Sequence, residues 1–184
     1  MTERLHLSDS RIDRVLLTPG EIADRVAELG AGITADYEGR DLALITVLKG
    51  GLIFLADLCR QIDLPHTIDF MAVSAYGPGV AGSVRITKDL DDTIEGRDVL
   101  IVEDIIDTGL TLNYLIRVLR ARKPASLAVC TLLDKDVRRI VDLPIEYTGF
   151  SIPDRFVVGY GLDLESVWRN LPYVATLHDE VWER

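Results

Sequence analysis

Cysteine is scarce in this chain: Cys59 and Cys130 are the only two, both set in apolar stretches without partner spacing. That argues against a disulfide framework or a thiolate metal site and for two buried free thiols. Histidine is almost as sparse, and His6, His66 and His178 are too dispersed to suggest a ligand set. Positive charge is short as well, with 20 basic residues against 30 acidic and a formal net charge of −10. A general nucleic-acid binder needs a positive field to meet phosphates, so that class is disfavoured. A small anionic substrate is not, because a local site can oppose the global sign. No apolar run reaches the roughly eighteen residues of a membrane span, and the opening "MTERLHLSDS" lacks the pattern of a secretory signal. The expectation is a cytoplasmic protein with neither a membrane nor a nucleic acid as partner.

What is present is a core. Of 184 residues, 48% are hydrophobic, too many for a disordered chain and enough for one domain spanning 1–184. Residues 18–32, "TPGEIADRVAELGAG", read as a helix: Thr18 caps, Pro19 suits the first turn, Glu21 completes a capping box, and Gly30 and Gly32 end it. Strands are predicted at 42–48, 66–76, near "VRITK" (84–88), and at 98–103, 126–134, 145–150 and 156–161, with helices at 51–62 and 109–122. Strand and helix alternate, which implies an α/β fold with a mostly parallel sheet flanked by helices.

The stretch "VLIVEDIIDTGLT" (99–111) breaks its own pattern. Val99 to Val102 suit a strand buried on both faces. Glu103, Asp104 and Asp107 then follow at the carboxyl end of that strand, where ligands bind in such sheets. Neighbouring carboxylates roughly 6 Å apart repel by about 2–3 kcal/mol at an effective dielectric of about 20. Water, a cation or hydroxyl groups can meet that cost; composition alone leaves a solvated acidic loop without ligand equally open. Thr108, Gly109 and Thr111 sit where the loop enters a helix, so backbone N–H groups, the helix dipole and two hydroxyls can receive a phosphate. Acids for sugar hydroxyls beside an anion cradle describe a ribose phosphate site.

These thirteen residues resemble the phosphoribosyl diphosphate motif of the phosphoribosyltransferases. "LKGG" (48–51), "LLDK" (132–135), "IPDRFVVGYGLD" (152–163) and "WRNLP" (168–172) also match in order, and resemble the hypoxanthine–guanine branch. Two positions depart from the family's habit: Ala75 precedes Tyr76 where serine is usual, and Asp136 follows "LLDK" where proline is common. The resemblance implies the type I phosphoribosyltransferase fold, with a twisted parallel sheet and a small hood over the active site built from N-terminal and C-terminal segments. It implies phosphoribosyl transfer from phosphoribosyl diphosphate to a 6-oxopurine, with Mg²⁺ as cofactor and a homodimer or homotetramer as the assembly.

Residue by residue, the resemblance gives Glu103 and Asp104 the two ribose hydroxyls, and Asp107 the purine imidazole, as catalytic proton acceptor. Thr108, Gly109, Leu110 and Thr111 take the phosphate. Lys49 and Gly50 meet the diphosphate through a peptide bond that can be cis in the family, and Arg169 reaches the same group. Asp163 stands near Mg²⁺, with Glu103 and Asp104 as further metal contacts through water. Lys135 donates to the 6-oxo group, Phe156 stacks on the ring, and Val157 offers backbone groups to its edge. Tyr76 lies in a mobile lid from Ser74 to Ser83. That lid contains "GPGVAG" (77–82), which fits a dinucleotide fingerprint in letters only, since Pro78 interrupts it and a strand follows. Other readings stay in play: an attenuator-RNA-binding relative of the uracil type, a receiver-like domain with an acidic loop, or a xanthine–guanine or orotate enzyme.

Overall fold

The computed structural model describes residues 9–75 and 84–182. Tyr76 and the "GPGVAG" stretch expected to form the lid lie outside the described residues. The chain runs β1 (Ile12–Leu17), α1 (Pro19–Asp36), β2 (Leu42–Leu48), α2 (Leu52–Leu58), β3 (His66–Ala75), β4 (Val84–Lys88), β5 (Asp98–Ile106), α3 (Leu110–Arg120), β6 (Ser126–Asp134), β7 (Ile145–Ser151), β8 (Val157–Val158), β9 (Val174–Leu177) and α4 (Asp179–Trp182). Six strands form one sheet in the order β4-β3-β2-β5-β6-β7. It is parallel except at its edge, where β4 pairs antiparallel with β3.

Alternation along β5 explains its unbroken apolar run. Leu100 and Val102 face α1 and α2 in one core cluster, while Val99 and Ile101 face α3 in another. Both faces of the strand are covered, so no polar position is needed until the strand reaches the ligand end. Cys130 is buried and Cys59 partly buried, and both are free thiols. No helix among the described residues is long and apolar enough to cross a membrane.

A second, three-stranded antiparallel sheet, β1-β9-β8, joins the two ends of the chain. It has its own apolar cluster, which includes Ile12, Val158, Trp168, Leu171 and Leu177. The short strands β1 and β9 carry no periodic signal of their own and were not predicted. The predicted strand at 156–161 shrinks to Val157–Val158, because the chain then turns through positive φ at Gly159, Tyr160 and Gly161.

Helix α1 starts as its sequence indicates. The amide of Glu21 donates to Thr18 Oγ1 at 3.3 Å, and the amide of Thr18 donates to Glu21 Oε2 at 2.8 Å. It does not end at Gly30 or Gly32 but continues to Asp36. Gly30 serves packing instead of termination: a Cβ there would lie 2.4 Å from Gln61 Cβ and 2.7 Å from the Gln61 carbonyl oxygen. A glycine lets the helix approach the turn after α2 more closely than any other residue.

This contrast is testable by chemical denaturation. Gly30→Ala should destabilise the fold by about 1–3 kcal/mol, the usual cost of overpacking a close contact. Gly32→Ala, with open space around its Cβ, should be neutral or stabilising by up to about 1 kcal/mol from helix propensity. Equal responses at the two positions would show that Gly30 is not a packing glycine.

Candidate active site

The parallel strands deliver their carboxyl ends to one edge of the sheet. β2 ends at the Lys49-Gly50-Gly51 turn, β5 carries Glu103 and Asp104 shortly before its end at Ile106 and the loop to α3, and β6 ends at Asp134 with Lys135 next. Register holds these ends together: Glu103 pairs with Thr131 and Ile106 with Asp134, and the Lys135 amide donates to the Ile106 carbonyl at 2.9 Å. Strand β5 runs three residues further than the predicted 98–103, so Asp104 joins Glu103 in the ordered strand and does not belong to the loop after it. Pairing with β6 fixes their backbone and spares them the freedom of a loop.

Asp104 lies against the Lys49-Gly50-Gly51 turn so closely that a Cβ on Gly50 would come 1.8 Å from its Oδ2. Gly161 packs on the same turn, where a Cβ would meet the Gly50 carbonyl oxygen at 2.2 Å. The cis peptide bond of this turn is Leu48–Lys49, one residue earlier than the expected Lys49–Gly50. Arg169 completes the corner. Its guanidinium donates to the Gly161 carbonyl at 2.6 Å and pairs with Asp163 Oδ1 at 2.5 Å, while Asp163 Oδ2 accepts the Ser166 amide at 2.6 Å. Lys49, Gly50, Asp104, Asp163 and Arg169, far apart in sequence, thus gather at one place.

A neighbouring cavity of about 200 Å³ is lined by Glu103, Asp107, Thr108, Gly109 and Thr111 with apolar side chains of β5 and α3. Gly109 caps α3 at φ 79°, and a Cβ there would press on Leu143 and Val141. The first amides of α3 therefore open into a cavity that also holds two threonine side chains, an arrangement suited to an anion. Leu110 opens the helix and is exposed.

Burial dominates the electrostatics of the acids. It pushes the Asp104 carboxyl up to about 6, partly opposed by the Ile105 amide that donates to Oδ1 at 2.9 Å and by the Arg169 charge. Glu103 is raised well above the ordinary range by burial and then by Asp104 beside it. No cluster of three metal-ligating side chains occurs among the described residues. The desolvated carboxyls of Glu103 and Asp104, successive in β5 and so directed to opposite faces, each nevertheless fit contact with a hydrated divalent cation that needs few direct protein ligands. Asp163 fits less directly, because both its oxygens are already engaged.

The residues expected to read a base come from the residue after β6 and from β8 with the residue before it. Lys135 is only 6% exposed, with Nζ 3.8 Å from Asp154 Oδ1. Val157 sits in β8, opposite Thr176 of β9. Phe156 stacks on Trp182, with ring centroids 5.7 Å apart and planes 22° from parallel. Three participants were not read from the sequence: Trp182, Asp154 and Arg138, whose Nε lies 3.2 Å from Asp107 Oδ1. Asp154 lies within the quoted "IPDRFVVGYGLD", and Arg138 is the first of two arginines shortly after "LLDK".

Comparisons with known proteins identify the family. Residues 16–165 match the family model of the phosphoribosyl transferase domain. The chain is 53% identical over 165 residues to a hypoxanthine phosphoribosyltransferase of Salmonella typhimurium, covering 88% of this chain and 93% of that one. It is 49% identical over 174 residues to a hypoxanthine-guanine phosphoribosyltransferase of Bacillus subtilis, covering 94% and 97%. Among solved structures, a hypoxanthine phosphoribosyltransferase from Staphylococcus aureus superposes with a TM-score of 0.90 at 48% identity, covering 95% of this chain and 96% of that one.

The raised carboxyl of Asp104 sets the sign of a pH effect. Its folded value of about 6 stands above the ordinary 3.8. Its contribution to stability is therefore fully present below the ordinary value and lost as pH rises through about 6. Asp104→Asn should exceed the parent in unfolding free energy by on the order of 2 kcal/mol at pH 8, and the difference should close toward pH 4. Denaturation curves of both proteins at the two pH values, without ligand or divalent ion, measure it.

Proposed function

The chain belongs to the phosphoribosyltransferase family, and from that membership we propose a purine-salvage enzyme of the hypoxanthine–guanine kind. It transfers the 5-phosphoribosyl group from phosphoribosyl diphosphate to hypoxanthine or guanine, giving the nucleotide and diphosphate. The bond from the anomeric carbon to the diphosphate oxygen breaks, and a bond from that carbon to a ring nitrogen of the base forms. The observation that carries this reading is one strand-to-helix passage on which Glu103 lines the cavity at the N-terminus of α3 and Asp104 faces the Lys49-Gly50-Gly51 turn.

In this reading Glu103 and Asp104 accept hydrogen bonds from the ribose hydroxyls. Thr108, Gly109, Leu110 and Thr111 hold the 5-phosphate with backbone amides and hydroxyls. Backbone donors at Lys49 and Gly50, with the Arg169 guanidinium, take the diphosphate and oppose the negative charge that grows on it as it leaves. Asp107 accepts the proton displaced from the imidazole ring as the new bond forms. Mg²⁺ bound with the diphosphate supplies charge to the leaving group and to the raised carboxyls of Glu103 and Asp104; Asp163 contributes through water. The three-stranded sheet of the chain ends serves as the hood, and its entrance presents Phe156 and Val157 to the base. A homodimer or homotetramer in the cytoplasm belongs to the same reading, with the exposed Leu52 and Ile53 of α2 as apolar surface for a second copy.

Discrimination against adenine follows from Lys135. A 6-oxopurine presents an acceptor where adenine presents an amino donor, and an ammonium has donors only. A buried charged donor left unmet costs roughly 2–4 kcal/mol, or about thirty- to a thousandfold in specificity. Initial rates with hypoxanthine, guanine, xanthine and adenine, under Mg²⁺ and phosphoribosyl diphosphate, test the assignment. Comparable use of adenine and hypoxanthine would defeat it. Lys135→Ala should sharply lower kcat/KM for hypoxanthine and narrow the gap to adenine. The double change Glu103→Gln with Asp104→Asn should leave the fold intact and weaken use of phosphoribosyl diphosphate by at least about tenfold, through loss of charge-assisted hydrogen bonds. Near-normal kinetics from that variant would remove the ribose role of the pair.

A further inference from the structure

Four charged side chains run in alternating sign across the base-reading side of the site. Asp107 Oδ1 faces Arg138 Nε at 3.2 Å, and another nitrogen of the same guanidinium lies 3.5 Å from Asp154 Oδ1. That Asp154 oxygen is in turn 3.8 Å from Lys135 Nζ. The four come from three segments: the loop after β5, the end of β6 with the 3-10 turn Asp136–Arg138, and the bend before β8. Asp107 Oδ1 is shut off from water and has no aligned hydrogen bond. The guanidinium is thus the cation that the described structure sets against it.

We propose that Arg138 is a positioning residue that ties together the two side chains reading the imidazole ring and the 6-oxo group of the purine. This inference rests on the roles given above to Asp107, at the imidazole edge, and Lys135, at the 6-oxo group. A guanidinium is a rigid planar fork and can hold two carboxylates at once, which a lysine ammonium on a flexible stem does less well. Arg138 holds Asp107 with one part of that fork and Asp154 with another, and Asp154 then holds the ammonium of Lys135. Removal of Arg138 frees Asp107 to swing in its loop and leaves Asp154 without its second cation. The groups that take phosphoribosyl diphosphate in that reading, Lys49, Gly50, Glu103, Asp104, the loop 108–111 and Arg169, do not include Arg138, whose ion pairs among the described residues are with Asp107 and Asp154. Base capture and phosphoribosyl diphosphate capture should therefore separate on mutation. Arg138, Asp107 and Asp154 are each about half exposed, so their ion pairs contribute little to folding stability and the variants should fold.

The test is steady-state kinetics on the full chain with each substrate varied against a saturating level of the other, for the parent, Arg138→Ala, Arg138→Lys, Asp154→Asn and the double variant Arg138→Ala/Asp154→Asn. In Arg138→Ala the KM for hypoxanthine should rise about tenfold, the scale of a misplaced positioning group. The KM for phosphoribosyl diphosphate should stay within about twofold. Arg138→Lys should recover part of the loss, because one carboxylate can still be met. Asp154→Asn should move the same KM in the same direction, and the double variant should be no worse than Arg138→Ala, since both changes cut one chain. An unchanged KM for hypoxanthine, equal rises in both KM values, full recovery by lysine, or losses that multiply in the double variant would each overturn the proposal. A parent that fails to consume hypoxanthine while binding phosphoribosyl diphosphate would instead overturn the assignment of the base, and this inference with it.

Discussion

Glu103 and Asp104 lie near the end of a strand that is covered on both faces, Asp104 two residues short of its end at Ile106, and desolvation there makes ionisation of either one costly. Much of the surrounding architecture answers that cost. The Ile105 amide donates to Asp104, and the Arg169 charge acts on it from across the corner. Gly50 has no side chain because the Asp104 carboxylate occupies the space one would need, and Gly161 has none because the Gly50 carbonyl lies under it. Three segments remote in sequence are thereby pressed together around Asp104. The remaining unmet charge is what a hydrated cation and a polyhydroxyl ligand would satisfy.

The second dependence is topological. β1 and β9 pair across almost the whole chain, with Ile12 opposite Leu177 and Leu17 opposite Val174. Closing so long a loop costs entropy, but the cost grows only slowly with length. The apolar cluster under this sheet, including Trp168, Leu171 and Tyr173, offsets it by burial. The consequence for the site is that Phe156, Val157, Asp163 and Arg169 are all held by the same C-terminal excursion. The groups proposed to face the base and those proposed to face the diphosphate are then fixed relative to one another.

The α/β class, the parallel sheet and the order of its strands' appearance were legible because a strand buried on both faces and an amphipathic helix have distinct periods. The capping box at Thr18 and Glu21 and the acid-to-threonine transition after Val102 are local chemistry, and local chemistry survives folding unchanged. Boundaries were less legible where tertiary contacts overrode local preference. Gly30 and Gly32 look like a helix end, yet α1 passes through both because Gly30 is needed against Gln61. Strand β5 continues past its acids because pairing with β6 supplies partners that no local rule could foresee.

The sequence by itself determined the sheet, the helices that cover it and the residue types at the strand ends, since each depends on neighbours a few positions away. The tertiary structure alone decided that Arg169 meets Asp163 and the Gly161 carbonyl, that Trp182 lies against Phe156, and that Arg138 stands between Asp107 and Asp154. It also brought β1 to β9. These contacts join segments whose separation along the chain carries no periodic signal, so only the packing of the completed fold could select them.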